Sequence, residues 1–549
     1  MVAPSDASVQ SPKILLSTTL LGSALVWLAF PPVGWSGLVW IAPVLWLRWI
    51  AADLLPGRHP YRVLWLSGCA FWLLTVHWVR LPHPLNYLGW VALASYLGIY
   101  LPAWIALSRI GMHQFQLPLW LVAPIAWTGL DWLRSHLFTG FMMGSLAHTQ
   151  YQFPLMIQIV DVFGEYGVTF LIVLVAACAT QCLLSFQTKP FQIQLHFLIP
   201  AVIALGATLY YGNIKIASQH SLISSLKKSP RIALIQGNTL ADWKNDREKQ
   251  LGIMQEHEKL SQSALQQSVD RPLDLIIWPE TAFRYPFITF EDDVRPPDTS
   301  PAGKLVELVH RLNTSILVGI DHVHISPDED RTPINYFFNS AVFVDRQGEI
   351  RGLYNKMHRV VLGEYVPFSD WFPVLNRMTS ITGSIHPGQN PVAMQQDDVT
   401  YAINICYEST VPHLIRRQVL QLSEQGQTPD VLVNITNDAW FWGSSELDMH
   451  LACGVFRAIE MQTPLVIAAN GGLSAHIDSL GKLQQSTPRQ QTALLLVDLL
   501  LPSRSGIYPS FYAAHGDWWF AGPCVVCCVV LAIAGWRSRS NLSRESAAT

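Results

Sequence analysis

Ile403-Asn-Ile-Cys406-Tyr-Glu408-Ser-Thr-Val-Pro412 is the stretch on which the fold of this chain turns. An apolar, β-branched run ends on a cysteine, and a helix-start pattern follows at once. Two other segments share the design. In Leu275-Ile-Ile-Trp-Pro-Glu280-Thr an apolar run ends on an acid. In Tyr354-Asn-Lys356-Met-His a lysine follows a short run that begins upstream. Acid, lysine and cysteine therefore come in that order, each beside or inside a hydrophobic run.

Around these segments, from about Ser218 to Ser510, short β-branched runs alternate with polar helical stretches. The runs begin at Arg231, Leu273, Ser315, Asn339, Tyr401, Asp430 and Leu465. Near-continuous apolar strands separated by helices predict buried sheets covered by helices. The size suits one α/β domain.

The flanks differ in kind. The whole chain of 549 residues is 50% hydrophobic and only 14% charged, against about 25% charged for soluble globular chains. Its 21 Trp fit a membrane protein, because Trp favours the bilayer interface. A net charge of -3 points away from nucleic acid. Seven apolar stretches precede the α/β region: Ile14–Phe30, Leu38–Leu54, Val63–Val79, Leu88–Leu107, Leu117–Leu137, Val162–Leu184 and Phe197–Tyr211. An eighth runs from Trp518 to Trp536. Each is near the roughly 20 residues that cross a bilayer. The first is taken as a retained span rather than a signal peptide, since further spans follow and no small-residue cleavage site is clear.

The expected division is 1–217 for the first membrane part, 218–510 for the α/β domain and 511–549 for a last span and tail. With the N-terminus inside, Lys13, Arg48, Arg58, Arg62, Arg109, Lys189, Arg537, Arg539 and Arg544 all fall on the inner side. The positive-inside bias then sets the α/β domain outside the cytoplasm.

Cys406 at a strand-to-helix turn gains from the helix N-terminus, which favours thiolate over thiol. Ser409 or Thr410 is the expected cap and Pro412 the first-turn residue. Taken alone, Cys406 reads as a buried structural thiol. Glu280 beside it can accept a proton and return it to a leaving group; alone it reads equally as a strand-end acid facing water. Lys356 can stabilise an oxyanion; alone it reads as a surface lysine. Cys69, Cys178, Cys182, Cys524, Cys527 and Cys528 lie in apolar runs and Cys453 on a predicted helix Leu447–Met461, so they read as core packing. No disulfide framework or metal cluster is evident from the spacings.

Taken together, the three segments resemble the nitrilase superfamily, and more closely the apolipoprotein N-acyltransferases. The resemblance also rests on Gln236-Gly-Asn238, Gly363-Glu364-Tyr-Val-Pro367, Asn437-Asp-Ala-Trp-Phe441, Arg457-Ala-Ile-Glu460, Ser474-Ala-His-Ile-Asp478 and His515-Gly-Asp517-Trp518. It implies an α-helical membrane bundle of about eight transmembrane helices plus an α/β nitrilase-type αββα sandwich. It further implies Glu280 as general base, Lys356 as oxyanion stabiliser and Cys406 as nucleophile. Glu364 is implied as a second acid, with Tyr407 and Glu408 lining the site, Asn437 and Asp438 shaping its wall, and Glu460 a structural or pocket residue. Trp243 is implied on a loop at a lipid entrance.

The chain departs from that family's pattern around the pocket. Trp442 separates Phe441 from Gly443, Asp448-Met-His450 replaces a Gln-His pair, Asn470-Gly-Gly472 replaces Asn-Thr-Gly, and Val361-Leu362 replaces Pro-Phe. Such changes bear on the choice of acceptor or acyl chain.

The expected reaction is a two-step acyl transfer from a membrane phospholipid to the α-amine of a diacylglyceryl apolipoprotein, through a thioester on Cys406. Exposed apolar residues around Phe283–Phe290 or Trp440–Trp442 are expected to admit acyl chains. No cofactor and no metal are expected. The expected partners are the phospholipid donor, the apolipoprotein acceptor and the bilayer, with no nucleic acid and a monomeric enzyme. The expected location is the bacterial inner membrane, with the α/β domain on the periplasmic side. Two alternatives remain open here: a membrane-anchored amidase or nitrilase acting on a small amide or nitrile, and a non-catalytic membrane protein that only binds lipid or peptide.

Overall fold

The computed structural model describes residues 11–185, 195–223, 226–241, 246–291, 303–327, 333–361, 363–366, 371–372, 385–502 and 509–548. The chain divides into two compact units. One comprises Met1–His77, Leu88–Ile214 and His515–Thr549; the other comprises Trp78–Tyr87 and Lys215–Ala514.

The first unit is helical. Among the described residues, five helices are long and apolar enough to cross a membrane: Pro12–Ala29, Asn86–Gln114, Glu165–Ser185, Leu195–Ser218 and Ala521–Ser538. Leu38–Leu54, Val63–Val79 and Leu117–Leu137 also fold largely as helix, in segments shorter or more polar than those five. These helices are apolar nearly all round, so large side chains such as Leu21, Val202, Ile203 and Val529 stay exposed. Water penalises such a surface, whereas hydrocarbon accepts it. The charges that interrupt the fifth stretch neutralise each other: Arg134 and Asp131 are buried and 3.1 Å apart. Cys524 and Cys528 are buried on the last helix, which begins at Ala521.

The second unit is a two-sheet sandwich. Its strands are β1 (Arg231–Gln236), β2 (Leu275–Ile277), β3 (Phe283–Phe290), β4 (Ser315–Pro327), β5 (Pro333–Val344), β6 (Ile350–Asn355), β7 (Ala393–Gln396), β8 (Val399–Ile405), β9 (Val431–Asn437), β10 (Leu465–Asn470), β11 (Ala475–Ile477), β12 (Leu483–Ser486) and β13 (Ala493–Asp498). One sheet runs β13-β1-β2-β4-β5-β6, with β3 paired to β4. The other runs β12-β11-β10-β9-β8-β7. The pairs β1 with β2, β2 with β4, β8 with β9 and β9 with β10 are parallel; β6, which leads to Lys356, pairs antiparallel with β5 and β5 with β4, so β6 runs in the same direction as β4.

Alternation explains the layers. Ile232 and Leu234 of β1, Ile277 of β2, Ile403 and Ile405 of β8 and Val433 and Ile435 of β9 meet in one core between the sheets. The intervening Ala233, Ile235, Ile276 and Ile316 pack outward with Ala264 of helix α1 (Arg247–Gln266) and Leu305, Leu308 and Val309 of helix α2 (Gly303–Leu312). Helices α3 (Pro412–Glu424) and α4 (Glu446–Met461) follow the strands of the other sheet. This is the expected helix-covered α/β architecture.

Two local expectations are corrected. Helix α3 is capped by the backbone of Val411, with Pro412 as its first residue. Neither Ser409 nor Thr410 caps it, because Cys406–Thr410 first forms a 3-10 turn that consumes both hydroxyls in bonds to nearby acceptors. Phe283–Phe290 is not a loose apolar rim. It is strand β3, and its Phe283 and Phe287 are buried in the core against α1 and α2.

One glycine sets the path of the acid-bearing turn. A Cβ on Gly319 of β4 would lie 2.3 Å from the Pro279 carbonyl oxygen and 2.5 Å from Glu280 Cα. Both neighbours are backbone and cannot swing aside. Gly319→Ala is therefore expected to destabilise this unit by about 1–3 kcal/mol, the usual cost of overpacking. A denaturant midpoint followed through Trp278 fluorescence in detergent checks this; an unchanged midpoint contradicts the close approach.

Candidate active site

Each of the three expected side chains leaves the carboxyl end of a strand. Glu280 follows β2, Lys356 follows β6 and Cys406 follows β8. In parallel sheets this edge is where side chains converge. Glu280 and Lys356 come from one sheet and Cys406 from the other.

Lys356 is 1% exposed. Its Nζ donates to Glu364 Oε1 at 2.8 Å and lies 3.7 Å from Glu280 Oε1. Burial alone would drive the ammonium toward its neutral form. The charges of Glu364 and Glu280 outweigh that and hold it above the ordinary lysine range. Asn339 joins the two acids: its Nδ2 donates to Glu280 Oε1 at 2.6 Å and to Glu364 Oε1 at 3.0 Å. The backbone N–H of Asn437 donates to Glu280 Oε2 at 2.8 Å, and that of Val360 to Glu364 Oε2 at 2.8 Å.

Burial raises the Glu280 carboxyl above its ordinary range; Lys356 pulls it down and Glu364 pushes it up again. A more basic carboxylate is a better proton acceptor. The Cys406 thiol is also pushed well up, by burial first and then by the Glu280 charge, while Lys356 works the other way. The three groups feel one another's charge.

Cys406 adopts φ +54°. A residue with a Cβ pays on the order of 1–2 kcal/mol for the left-handed region. Strain of this kind needs partners to hold it. Glu408 is one such partner. Fully buried, it accepts from the backbone N–H groups of Met357 (2.7 Å), His358 (2.9 Å) and Ile405 (2.7 Å) and from the Tyr354 hydroxyl (2.8 Å). It ties the lysine segment to the cysteine turn.

The other expected site residues are distributed as follows. The Tyr407 ring stacks with His358 at 6.0 Å. Asn437 bonds Asn470 through its side chain at 2.8 Å, and Asn470 Nδ2 donates in turn to the Thr239 carbonyl. Asp438 accepts the Thr436 hydroxyl at 2.6 Å. Glu460 is buried and paired with Arg457 at 2.9 Å within helix α4, a structural placement. Trp243 lies outside the described residues. Trp442 is 61% exposed, and the ring of its preceding neighbour Phe441 meets Trp78 at 5.2 Å. Gly471, where the resembled pattern has Thr, sits at φ +67°, a conformation that suits Gly.

Sequence reasoning missed Asn339, Tyr354, Asn434 and His450. A signal existed for Asn434: a polar residue inside the buried run Val431-Leu-Val-Asn-Ile needs a partner. It donates to Asn404 Oδ1 at 2.6 Å and to the Cys406 carbonyl at 3.0 Å.

Known proteins resemble the chain in both its parts. Residues 22–178 match the family described as Apolipoprotein N-acyltransferase N-terminal domain, and residues 231–505 match the Carbon-nitrogen hydrolase family. The chain is 33% identical to an apolipoprotein N-acyltransferase of Geobacter metallireducens, over 95% of each chain. It is 28% identical to one of Rhodopirellula baltica, over 90% of this chain and 93% of that one. Among solved structures, a carbon-nitrogen hydrolase from Helicobacter pylori is similar over 50% of this chain and 89% of that one, with a TM-score of 0.35 and 13% identity.

The raised thiol gives a test by alkylation. The rate of Cys406 modification by iodoacetamide is expected to keep rising with pH beyond about 8.5, the ordinary thiol midpoint. Glu280→Gln removes a neighbouring negative charge, so the midpoint is expected to move down. A profile that levels off at neutral pH, or one that Glu280→Gln leaves in place, contradicts the assigned electrostatics.

Proposed function

The chain belongs to the apolipoprotein N-acyltransferase family, and from that premise we propose that Glu280, Lys356 and Cys406 carry the acyl transfer. Membership makes it an enzyme of the nitrilase superfamily that acylates lipoproteins from phospholipid. The observation that supports the triad is the buried ammonium of Lys356 held between two carboxylates, with the strained Cys406 turn tied to it through Glu408.

The steps follow from the charges. Glu280 takes the Cys406 proton as the sulfur attacks an ester carbonyl of the phospholipid. Lys356 stabilises the oxyanion, which is the larger share of the help such a site gives. The tetrahedral adduct collapses, the lysophospholipid oxygen leaves and Glu280 returns the proton to it. A thioester on Cys406 remains. The α-amine of the lipid-modified N-terminal cysteine then attacks the thioester, giving up its proton to Glu280. The thiolate departs and recovers that proton, and an N-acylated lipoprotein is released.

Glu364 supports Lys356, and Tyr407, Glu408, Asn437 and Asp438 shape the site. Segments 1–217 and 511–549 anchor the enzyme, and 218–510 is its catalytic domain. The clustering of Lys and Arg in alternate loops supports an inner-membrane protein with that domain on the periplasmic side. The enzyme works as a monomer. Both substrates are lipidated, so anchoring concentrates the site where they are. Trp442, exposed beside the pocket-wall turn, fits contact with acyl chains.

Incubation of the purified full-length enzyme with a phospholipid of single acyl composition is expected to add one acyl mass to the peptide bearing Cys406. Addition of a diacylglyceryl lipopeptide is expected to move that mass to its α-amine. Cys406→Ala should show neither event, and Lys356→Ala should slow thioester formation by about 10²–10³-fold. Turnover by Cys406→Ala, or an adduct on another residue, refutes the assignment.

A further inference from the structure

Two carboxylates share the Lys356 ammonium unequally. Glu364 Oε1 lies 2.8 Å from Nζ, whereas Glu280 Oε1 lies 3.7 Å away. The second distance is beyond an N–H···O bond, which ends near about 3.2 Å. A carboxylate beside a buried ammonium ordinarily closes to about 2.7–2.9 Å, because the charged bond offsets the loss of water.

Asn339 stands where it can prevent that closure. Its Nδ2 lies 2.6 Å from Glu280 Oε1 and 3.0 Å from Glu364 Oε1. These are the same two oxygens that face the lysine. The amide is closer to Glu280 and the ammonium closer to Glu364. An amide nitrogen carries two N–H groups, and each acid takes one. Turned over, the amide would set its Oδ1 against two carboxylate oxygens. As placed, Oδ1 is buried and accepts no bond among the described residues. A buried acceptor left bare costs stability, so the two donations to the acids decide how this side chain is oriented.

The backbone decides where the amide stands. Asn339 lies on β5 opposite Asp321 of β4, and its carbonyl accepts the Lys356 N–H at 2.8 Å. The next residue, Ser340, pairs with Asn355 of β6. One residue thus holds the lysine through its main chain and both acids through its side chain. Changing the side chain leaves those main-chain bonds in place.

We infer that Asn339 is a positioning residue that holds Glu280 off the Lys356 ammonium. The inference rests on the assignment of Glu280, Lys356 and Cys406 to the acyl transfer. With the amide in place, Glu280 is free to take the thiol proton and the ammonium keeps an N–H for the oxyanion. Without it, Glu280 can pivot on the Asn437 N–H, which holds its other oxygen, and bond Lys356 directly. Acid and ammonium would then satisfy each other instead of serving the substrate.

The test uses the full-length enzyme in detergent micelles, with a phospholipid of single acyl composition. Asn339→Leu replaces the amide by an apolar side chain of similar size. An experimental structure of this variant is expected to show the Glu280 carboxylate within about 3.2 Å of Lys356 Nζ. Thioester formation at saturating lipid is expected to slow by about tenfold, with the half-saturating lipid concentration unchanged, since Asn339 does not bind the lipid.

The acid limb of that rate separates spacing from a simple lost bond. The titratable groups that face Glu280 are Lys356 and Glu364, from the segment after β6, and Cys406 at the end of β8. Burial raises the Glu280 carboxyl, Lys356 lowers it, Glu364 raises it and the Asn339 bond lowers it. Losing the amide bond alone would move the acid limb to higher pH. Closing on the ammonium replaces that bond by a direct ion-pair bond, so the limb is expected to move to lower pH.

A variant in which Glu280 stays 3.7 Å from Lys356, keeps its rate or shifts its acid limb upward overturns the inference. Asn339→Ala carries the same readouts if Asn339→Leu does not fold. If the unmodified enzyme forms no thioester, the acyl-transfer assignment fails. The spacing is then judged on the variant's structure alone: Glu280 closed on Lys356 supports it, and Glu280 unmoved overturns it.

Discussion

The ammonium of Lys356 is the charge around which this site is arranged. Placing a lone cation in a protein interior costs several kcal/mol, and only close counter-charges with good hydrogen bonds repay it. Glu364 at 2.8 Å and Glu280 at 3.7 Å supply them. The two acids are not equivalent. Glu364 takes a direct bond from the lysine. Glu280 stands further off, and burial raises its basicity even though the bonds it accepts from Asn339 and the Asn437 backbone work the other way. The same cation that neutralises the acids moderates the thiol. Ground-state stability and chemistry thus draw on one set of contacts.

The sandwich makes that set possible. Glu280 and Lys356 leave strands of one sheet and Cys406 leaves a strand of the other, so the site exists only when both sheets pack on their shared core. Alternation along β1, β2, β8 and β9 sends one face into that core and the other toward helices. A one-residue slip in any of these strands would turn its end residue to the opposite face. Register, set by apolar packing, is what aims the reactive groups.

Much of this was legible from sequence because apolar runs and their endings are local signals. Runs at Arg231, Leu273, Tyr401, Asp430 and Leu465 became strands near their expected bounds, and Glu280, Lys356 and Cys406 were visible as polar residues at such endings. Other parts depended on contacts between distant residues. Asn339 looked like the first residue of a strand segment, and nothing local shows that it joins acids 59 and 25 residues away. His450 was visible only as part of a changed segment on a predicted helix, and nothing local shows that its partner is 44 residues distant. Ser409 and Thr410 looked like caps because the sequence does not reveal that a 3-10 turn intervenes before Pro412. Phe283–Phe290 looked like an exposed rim because aromatic density alone does not separate a buried strand from an apolar surface.

The joint made by Glu408 has one more implication. A carboxylate offers about four lone-pair directions, and four donors from two segments of the chain occupy them. No valence is left over for solvent to pry at. The segment carrying the cation and the segment carrying the sulfur are delivered as a single prefabricated block. Room for a long hydrocarbon tail has to be made by the walls around that block, not by any loosening within it.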